Sequence, residues 1–204
     1  MKRFACIFLL IVFACSFAQA QKFDAGISFG LTPSQVDGDA MTGYNKIGFN
    51  AGAFVKLDQG NIWVYQMDIA YTTKGSRQAS SKNMDYSRPE ILTSYVDFVL
   101  SAGYKITDKI TLKAGLTPSV LITQKEQTTG GMEIIRDENP FRPFNLLAMG
   151  GLNYSFGEHW SFNLAYNYSI LSIRKGGYEF VDFDVKVENA QYHNYITLNL
   201  YYQF

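Results

Sequence analysis

His193-Asn-Tyr-Ile-Thr-Leu-Asn-Leu-Tyr-Tyr-Gln-Phe204 ends the chain. From Ile196 onward every second residue is large and apolar: Ile196, Leu198, Leu200, Tyr202 and Phe204. Between them lie Tyr195, Thr197, Asn199, Tyr201 and Gln203, all polar or amphipathic. A period of two marks a β-strand with two unlike faces. Chain ends ordinarily fray, so a regular strand that runs to the last residue needs partners to hold it.

The same period recurs along the chain. It appears at about 22–33 (Phe23, Ala25, Ile27, Phe29, Leu31), 45–57 (Ile47, Phe49, Ala51, Ala53, Val55) and 61–74 (Trp63, Tyr65, Met67, Ile69, Tyr71). It continues at about 92–106 (Val96, Phe98, Leu100, Tyr104), 109–122 (Ile110, Leu112, Leu116, Val120), 142–156 (Phe144, Leu152, Tyr154, Phe156) and 159–172 (Trp160, Phe162, Leu164, Tyr166). With the terminal segment that makes eight strands. Three connections are tight: Asp58-Gln59-Gly60, Thr107-Asp108 and Gly157-Glu158. Four are long and polar, at about 34–44, 75–91, 123–141 and 173–191. Long and short alternate strictly, which is the wiring of an up-and-down meander with one smooth and one elaborate rim.

Alternation alone does not say which face is inside. A soluble eight-stranded barrel turns its large apolar residues inward; a membrane barrel turns them outward, because lipid offers no hydrogen bonds. Here the polar faces carry Asp24, Lys46, Asn50, Gln66, Asp68, Asp97, Lys113, Asn145, Asn153, Asn163, Asn167 and Asn199 among many small residues. That suits a narrow bore better than a water-facing wall. Aromatics gather near strand ends: Trp63, Tyr65, Tyr104, Tyr154, Phe156, Trp160, Tyr202 and Phe204 by the tight turns or terminus, and Tyr71, Tyr95, Tyr168, Tyr192 and Tyr195 by the long loops. Such belts mark membrane interfaces. Strands of about 11–15 residues cross an apolar band of roughly 25 Å at a tilt. The expected fold is all-β: an eight-stranded antiparallel up-and-down transmembrane β-barrel, with short turns and both termini in the periplasm and four long extracellular loops.

The N-terminus supplies the address. Lys2 and Arg3 precede an apolar run from Phe4 to Phe17, and Ala18-Gln19-Ala20 offers small residues for a peptidase. Residues 1–20 are expected to be a secretory signal peptide, leaving 21–204 as one outer-membrane β-barrel domain. Cys6 and Cys15 both lie in the signal, so the remaining chain has no disulfide, thiol nucleophile or cysteine-bound zinc. Without Lys2 and Arg3 the 18 basic residues become 16 against 18 acidic ones, a formal charge of −2. Nothing there favours nucleic acid.

Inside the barrel, Lys46, Lys74 and Lys113 are expected to pair with Asp24, Asp68 and Asp97, since buried charges need partners. Gly26, Gly30, Gly48 and Gly52 leave room where strands coil. An eight-stranded bore is filled by side chains, so this network reads as a plug. No catalytic, cofactor or metal site is assigned. The nearest enzyme reading places His193 with Ser169 or Ser172 and with Asp182, Asp184 or Glu188, but no local pattern fixes that geometry; His193 reads as a histidine of the outer rim and His159 as an interfacial one. Val181 to Glu188 alternates, which suggests a hairpin whose Asp182 and Asp184 share a face.

Several stretches resemble the PorT-like outer-membrane β-barrel family. They are Gly26-Ile-Ser-Phe-Gly-Leu-Thr-Pro-Ser-Gln-Val-Asp-Gly-Asp39, Tyr44-Asn-Lys-Ile-Gly-Phe-Asn-Ala-Gly-Ala-Phe54 and Tyr71-Thr-Thr-Lys-Gly-Ser76. Tyr95-Val-Asp-Phe-Val-Leu100 is similar to the family's Y-L-E-I-P-L-like strand, with Asp97 at the acidic position and Val99 where that pattern has proline. The resemblance implies an outer-membrane barrel without catalytic residues, and for some relatives a place in a protein secretion and gliding apparatus. The expected role is a non-enzymatic, monomeric barrel with no cofactor. Its partners would be outer-membrane lipid and, through its loops, envelope or secretion-machinery proteins.

Overall fold

The two-residue period becomes two-faced strands in the computed structural model. It describes residues 23–39, 41, 43–58, 60–78, 89–128, 140–174, 178–180, 185–187 and 190–204. The strands are β1 (Phe23–Asp37), β2 (Lys46–Asp58), β3 (Trp63–Arg77), β4 (Pro89–Lys105), β5 (Ile110–Thr128), β6 (Phe144–Phe156), β7 (Trp160–Ser169), β8 (Tyr178–Phe180), β9 (Val185–Val187) and β10 (Tyr192–Gln203). Eight of them close a barrel in the order β1-β10-β7-β6-β5-β4-β3-β2, every pair antiparallel. β8 and β9 form a separate hairpin. A hairpin does follow β7, apart from the wall, but its strands are Tyr178–Phe180 and Val185–Val187; of the expected stretch Val181–Glu188, residues 181–184 and 188 lie outside the described set, as does the expected signal segment 1–20.

The closing strand behaves as its pattern requires. β10 pairs with β1 from Gly26↔Gln203 to Asp37↔Tyr192, and with β7 from Tyr202↔Trp160 to Asn194↔Tyr168. Even the last residue is tied: the Phe204 N–H donates to the Ala25 carbonyl at 2.9 Å. Closure leaves the barrel no free edge over this span.

The faces are inverted relative to a water-soluble protein. Phe29, Leu31, Ile47, Phe49, Ile69, Leu100, Leu116 and Leu164 point outward and are exposed, while Asn50, Asp68, Lys74, Asp97, Lys113 and Asn145 are buried inside. Leaving one large apolar side chain in water forgoes roughly 1.5–3 kcal/mol. Those eight alone would then match or exceed the roughly 5–15 kcal/mol that holds a domain together. Only an apolar surrounding resolves that conflict, and a closed β-barrel is one of the two backbone arrangements that can cross one. Aromatic belts mark both ends. At the turn end Trp63 packs on Tyr104 (5.4 Å) and Trp160 on Tyr202 (4.8 Å); at the loop end Tyr166, Tyr168 and Tyr192 stack in series.

Two members of the expected loop-end belt turn the other way. Tyr95 and Tyr195 share the parity of Asp97 and Asn199 and are fully buried in the lumen. Tyrosine suits both settings, an interface or a polar core that can use its hydroxyl, so residue type alone misplaces them.

The strands β1, β3, β4 and β5 run past the ends set by their apolar pattern. The β2–β3 ladder stops at Asn50↔Thr72, and β5 pairs with β6 only as far as Val120↔Phe144, yet β3–β4 continues to Arg77↔Glu90 and β4–β5 to Pro89↔Thr128. A register shift at Ser94/Tyr95 marks the bend. Beyond it this three-stranded arm leans inward beneath β1 and β2. The Thr32 hydroxyl donates to the Thr73 carbonyl (2.6 Å), the Gly75 N–H donates to Ser34 Oγ (3.0 Å), and Thr73 Oγ1 accepts the Phe49 N–H (2.8 Å) in place of a backbone partner. Lys46, on the inner face of β2, meets Glu90, on the outer face of β4, at 3.6 Å.

Gly48 lies where β3 crosses, and a Cβ there would collide with the Thr73 carbonyl oxygen. Gly48→Val should therefore destabilise the barrel by about 1–3 kcal/mol, as overpacking does, seen as a lower urea midpoint in lipid vesicles. Ala51→Val, on the lipid-facing side, should leave that midpoint unchanged; equal midpoints for both variants would contradict the crossing.

Candidate functional site

The lumen is built in layers. At the turn end, Lys56, Asp58, Lys105, Lys113, Asn153 and Ser155 line an open vestibule of ≈ 170 Å³. Lys105 and Asp58 pair there at 2.7 Å, and Lys56 reaches Asp24 at 3.6 Å. Above them the Tyr201 ring meets Phe54 edge-on at 5.1 Å, with the Lys113 ammonium 5.6 Å from its centre. Asn50 donates to Asn199 at 2.8 Å over Gly30 of β1, which pairs with both residues.

The middle layer is a caged cation. Lys74 is fully buried, and its ammonium lies 3.1 Å from Asp97, 4.4 Å from the centre of the Tyr95 ring and 4.7 Å from that of Tyr195. A desolvated ammonium over an aromatic face gains about 2 kcal/mol or more per ring, and the carboxylate supplies the countercharge that burial demands. The residues come from β3, β4 and β10, so the cage ties together three staves, one of them distant from the other two in the barrel wall.

His193 extends this layer. Its strand parity is as expected but its place is not: it is fully buried below the rim. Nε2 lies 3.2 Å from the Tyr95 hydroxyl and 3.5 Å from that of Thr93, and the ring meets Tyr95 edge-on at 5.3 Å. Ser169 meets the backbone of His193 rather than its imidazole: Ser169 Oγ accepts the His193 N–H (3.0 Å) and the Asn145 amide (2.8 Å). Ser172 lies beyond the end of β7, and Asp182, Asp184 and Glu188 lie outside the described residues. His159 sits at the turn end against Tyr202, with Nδ1 2.9 Å from the Gln203 carbonyl.

Above the polar layers the bore is capped. Val36, Met41, Ile91, Phe141 and Ile173 form a buried apolar cluster, with Leu121 packed against it. Arg174 pairs with Glu126 and lays its guanidinium 3.9 Å from the centre of the Phe141 ring. Isolated bridges join Phe141 to Arg174 and Arg174 to Gln191.

Of the expected pairs, Lys74–Asp97 forms. Asp24 takes Lys56 instead and Lys46 takes Glu90, while Asp68 accepts the Gln66 amide at 2.9 and 3.0 Å and has Lys113 as its nearest opposing charge. The arm explains the exchange for Lys46: Glu90 stands on an outward parity yet is carried under β2.

Asp39 lies beside the cap, where its carboxyl accepts the Met41 N–H at 2.8 Å. Burial pushes that carboxyl up to about 6, against the pull of the Ser76 hydroxyl and the Met41 N–H. A folded value above the unfolded one means the folded state binds the proton more tightly. The stability this adds is full below about pH 4 and is lost as pH rises through 6, roughly 3 kcal/mol in all. Asp39→Asn should abolish this fall between pH 4 and 7, read as the pH dependence of the urea midpoint; an unchanged slope would contradict the assignment.

Residues 17–174 match the family model described as "Outer membrane protein beta-barrel domain". The chain belongs to that family. The barrel resides in the cell outer membrane, with lipid against its apolar wall. No curated protein matches the sequence. Among solved structures it is similar to Ail, the attachment invasion locus protein of Yersinia pestis, in complex with the heparin analogue sucrose octasulfate: TM-score 0.53, 15% identity, covering 90% of this chain and 99% of Ail. A second Ail structure gives 0.52 and 17%, with the same coverage. OprG from Pseudomonas aeruginosa gives 0.46 and 13%, over 90% of this chain and 97% of OprG. At these identities what is shared with Ail is the fold.

Proposed function

We propose that this barrel is a non-enzymatic anchor of the outer membrane, with a plugged lumen. Its tight turns and termini would face the periplasm, and its four long loops would be displayed outside as an envelope or protein-interaction scaffold. The observation that carries the reading is the middle of the bore, where fully buried Lys74, Tyr95 and Tyr195 lie beneath an apolar cap. Charges are spent on one another rather than on a passing solute. Residues 1–20 would be removed as a signal peptide, leaving Gln21 at the mature N-terminus, which intact-mass measurement of the membrane protein reads directly.

In planar bilayers the purified barrel should give no steady conductance; regular open-channel steps would overturn the plug. The PorT-like stretches, 26–39 and 44–54 above all, support a more specific variant of the same reading, an accessory of a secretion apparatus. Cross-linking in cells followed by co-purification should then recover an envelope protein, and recovery of the barrel alone would remove it.

A further inference from the structure

The inward lean of the arm leaves the barrel wall open on one side. From Phe49 to Lys46, β2 has β1 as its only ladder partner. Between this edge and the outer face of β4 and β5 lies a cleft of ≈ 430 Å³, lined by Lys46, Ile47, Phe49, Leu92, Ser94 and Lys125 among others. That volume falls within the roughly 300–1,000 Å³ of small-molecule sites.

The lining changes character across the cleft. Ile47 and Phe49 are the last outward apolar residues of β2, and Ile47 is 66% exposed. Opposite them the outward positions of β4 and β5 turn polar, at Ser94, Thr123 and Lys125. The cleft thus straddles the edge of the apolar belt, with hydrocarbon-compatible surface on the β2 wall and mostly hydrogen-bonding surface opposite, where Leu92 is the apolar exception. The charge is cationic. Glu90 is already shared by Arg77 (2.6 Å), the Gln127 amide (3.2 Å) and Lys46 (3.6 Å). Among the described residues no carboxylate lies within ion-pair distance of the exposed Lys125 ammonium.

We propose that this cleft is a binding site for an anionic membrane lipid. Its phosphate-bearing headgroup lies between Lys46 and Lys125, and an acyl chain lies along Ile47, Phe49 and Leu92. The site opens sideways, onto the lipid-facing wall, which a lipid reaches by lateral diffusion. On the orientation proposed above it belongs to the outer leaflet, but the binding itself does not depend on that orientation.

The test uses the purified full-length mature barrel in detergent, incubated with equal amounts of dioleoyl phosphatidylglycerol and dioleoyl phosphatidylcholine and examined by native mass spectrometry. The expected result is a one-to-one adduct with about fivefold preference for phosphatidylglycerol, the scale of a pair of exposed charge contacts. Lys125→Gln, at an exposed position, should cut the preference at least by half, and adding Lys46→Gln should abolish it. Ser94→Trp, which fills the cleft, should remove the adduct while heat-modifiable gel migration reports an intact barrel. Equal retention of the two lipids by the wild type, or an unchanged preference in both lysine variants, would overturn the site.

Discussion

Removing Tyr201–Phe204 is expected to reduce inserted barrel at least tenfold. The four residues carry the last pairs of two ladders: Ser28↔Tyr201, Ile27↔Tyr202 and Gly26↔Gln203 on one side, Tyr201↔Ser161 and Tyr202↔Trp160 on the other. The Gln203 N–H also donates to the His159 carbonyl at 2.8 Å, and Tyr201 packs on Phe54 inside. Truncation would expose backbone groups of β1 and β7 near the membrane, and each one left in hydrocarbon costs several kcal/mol. Three or four such groups exceed the roughly 5–15 kcal/mol of net stability available to a domain. Heat-modifiable protein in the membrane fraction is the readout, and wild-type levels after truncation would contradict the role of the closing strand.

Asp97→Asn is the second large effect. It removes the countercharge of Lys74 and leaves a caged ammonium with two aromatic faces and, among the described residues, no other carboxylate in an ion pair with it. Breaking one half of a buried ion pair costs about 3–5 kcal/mol. The urea midpoint of the barrel in lipid vesicles should fall accordingly. Lys74→Met should cost a comparable amount, because among the described residues Asp97 then keeps the Tyr195 hydroxyl at 3.4 Å as its side-chain partner. The double variant, Lys74→Met with Asp97→Leu, should recover much of the loss, since an apolar pair of similar volume avoids desolvating either charge. Additive losses would show that the two residues do not act as a pair.

The barrel was legible in the sequence because its physics has one rule, apolar out and polar in, repeated on every strand. Ile196 to Phe204 states that rule as clearly as any segment, and its pairing with β1 follows from counting strands. The rule lapses above the apolar belt. Ser34–Asp37 and Thr123–Thr128 are strand without alternation, because neither face meets lipid there, so the sequence reads them as loop. The inward arm depends on a broken ladder between Phe49 and Thr73, a tertiary event with no local pattern beyond Gly48. The cap residues Met41, Phe141 and Ile173 fall in connections that hold other apolar residues, such as Ile134, Ile135 and Phe183, so no local pattern singles them out. Lys74 and Asp97 were identifiable as interior charges, whereas the cage around them was hidden by the double nature of tyrosine. His193 had the right face and the wrong depth, since depth depends on how far the strand continues past the belt.

An inverted barrel has a sharp signature along β10. Cys6 and Cys15 are the only cysteines in the chain, both in the segment proposed to be removed, so single cysteines can be placed cleanly along the strand. Ile196, Leu198 and Leu200 would be substituted in turn, then Thr197 and Asn199, each labelled with a nitroxide in lipid vesicles. The three outward positions should be accessible to oxygen and shielded from a water-soluble nickel quencher, and Thr197 and Asn199 should be shielded from both or reached only from water, a strict alternation of period two. Nickel access at Leu198 and Leu200 equal to that of a loop position would contradict the account.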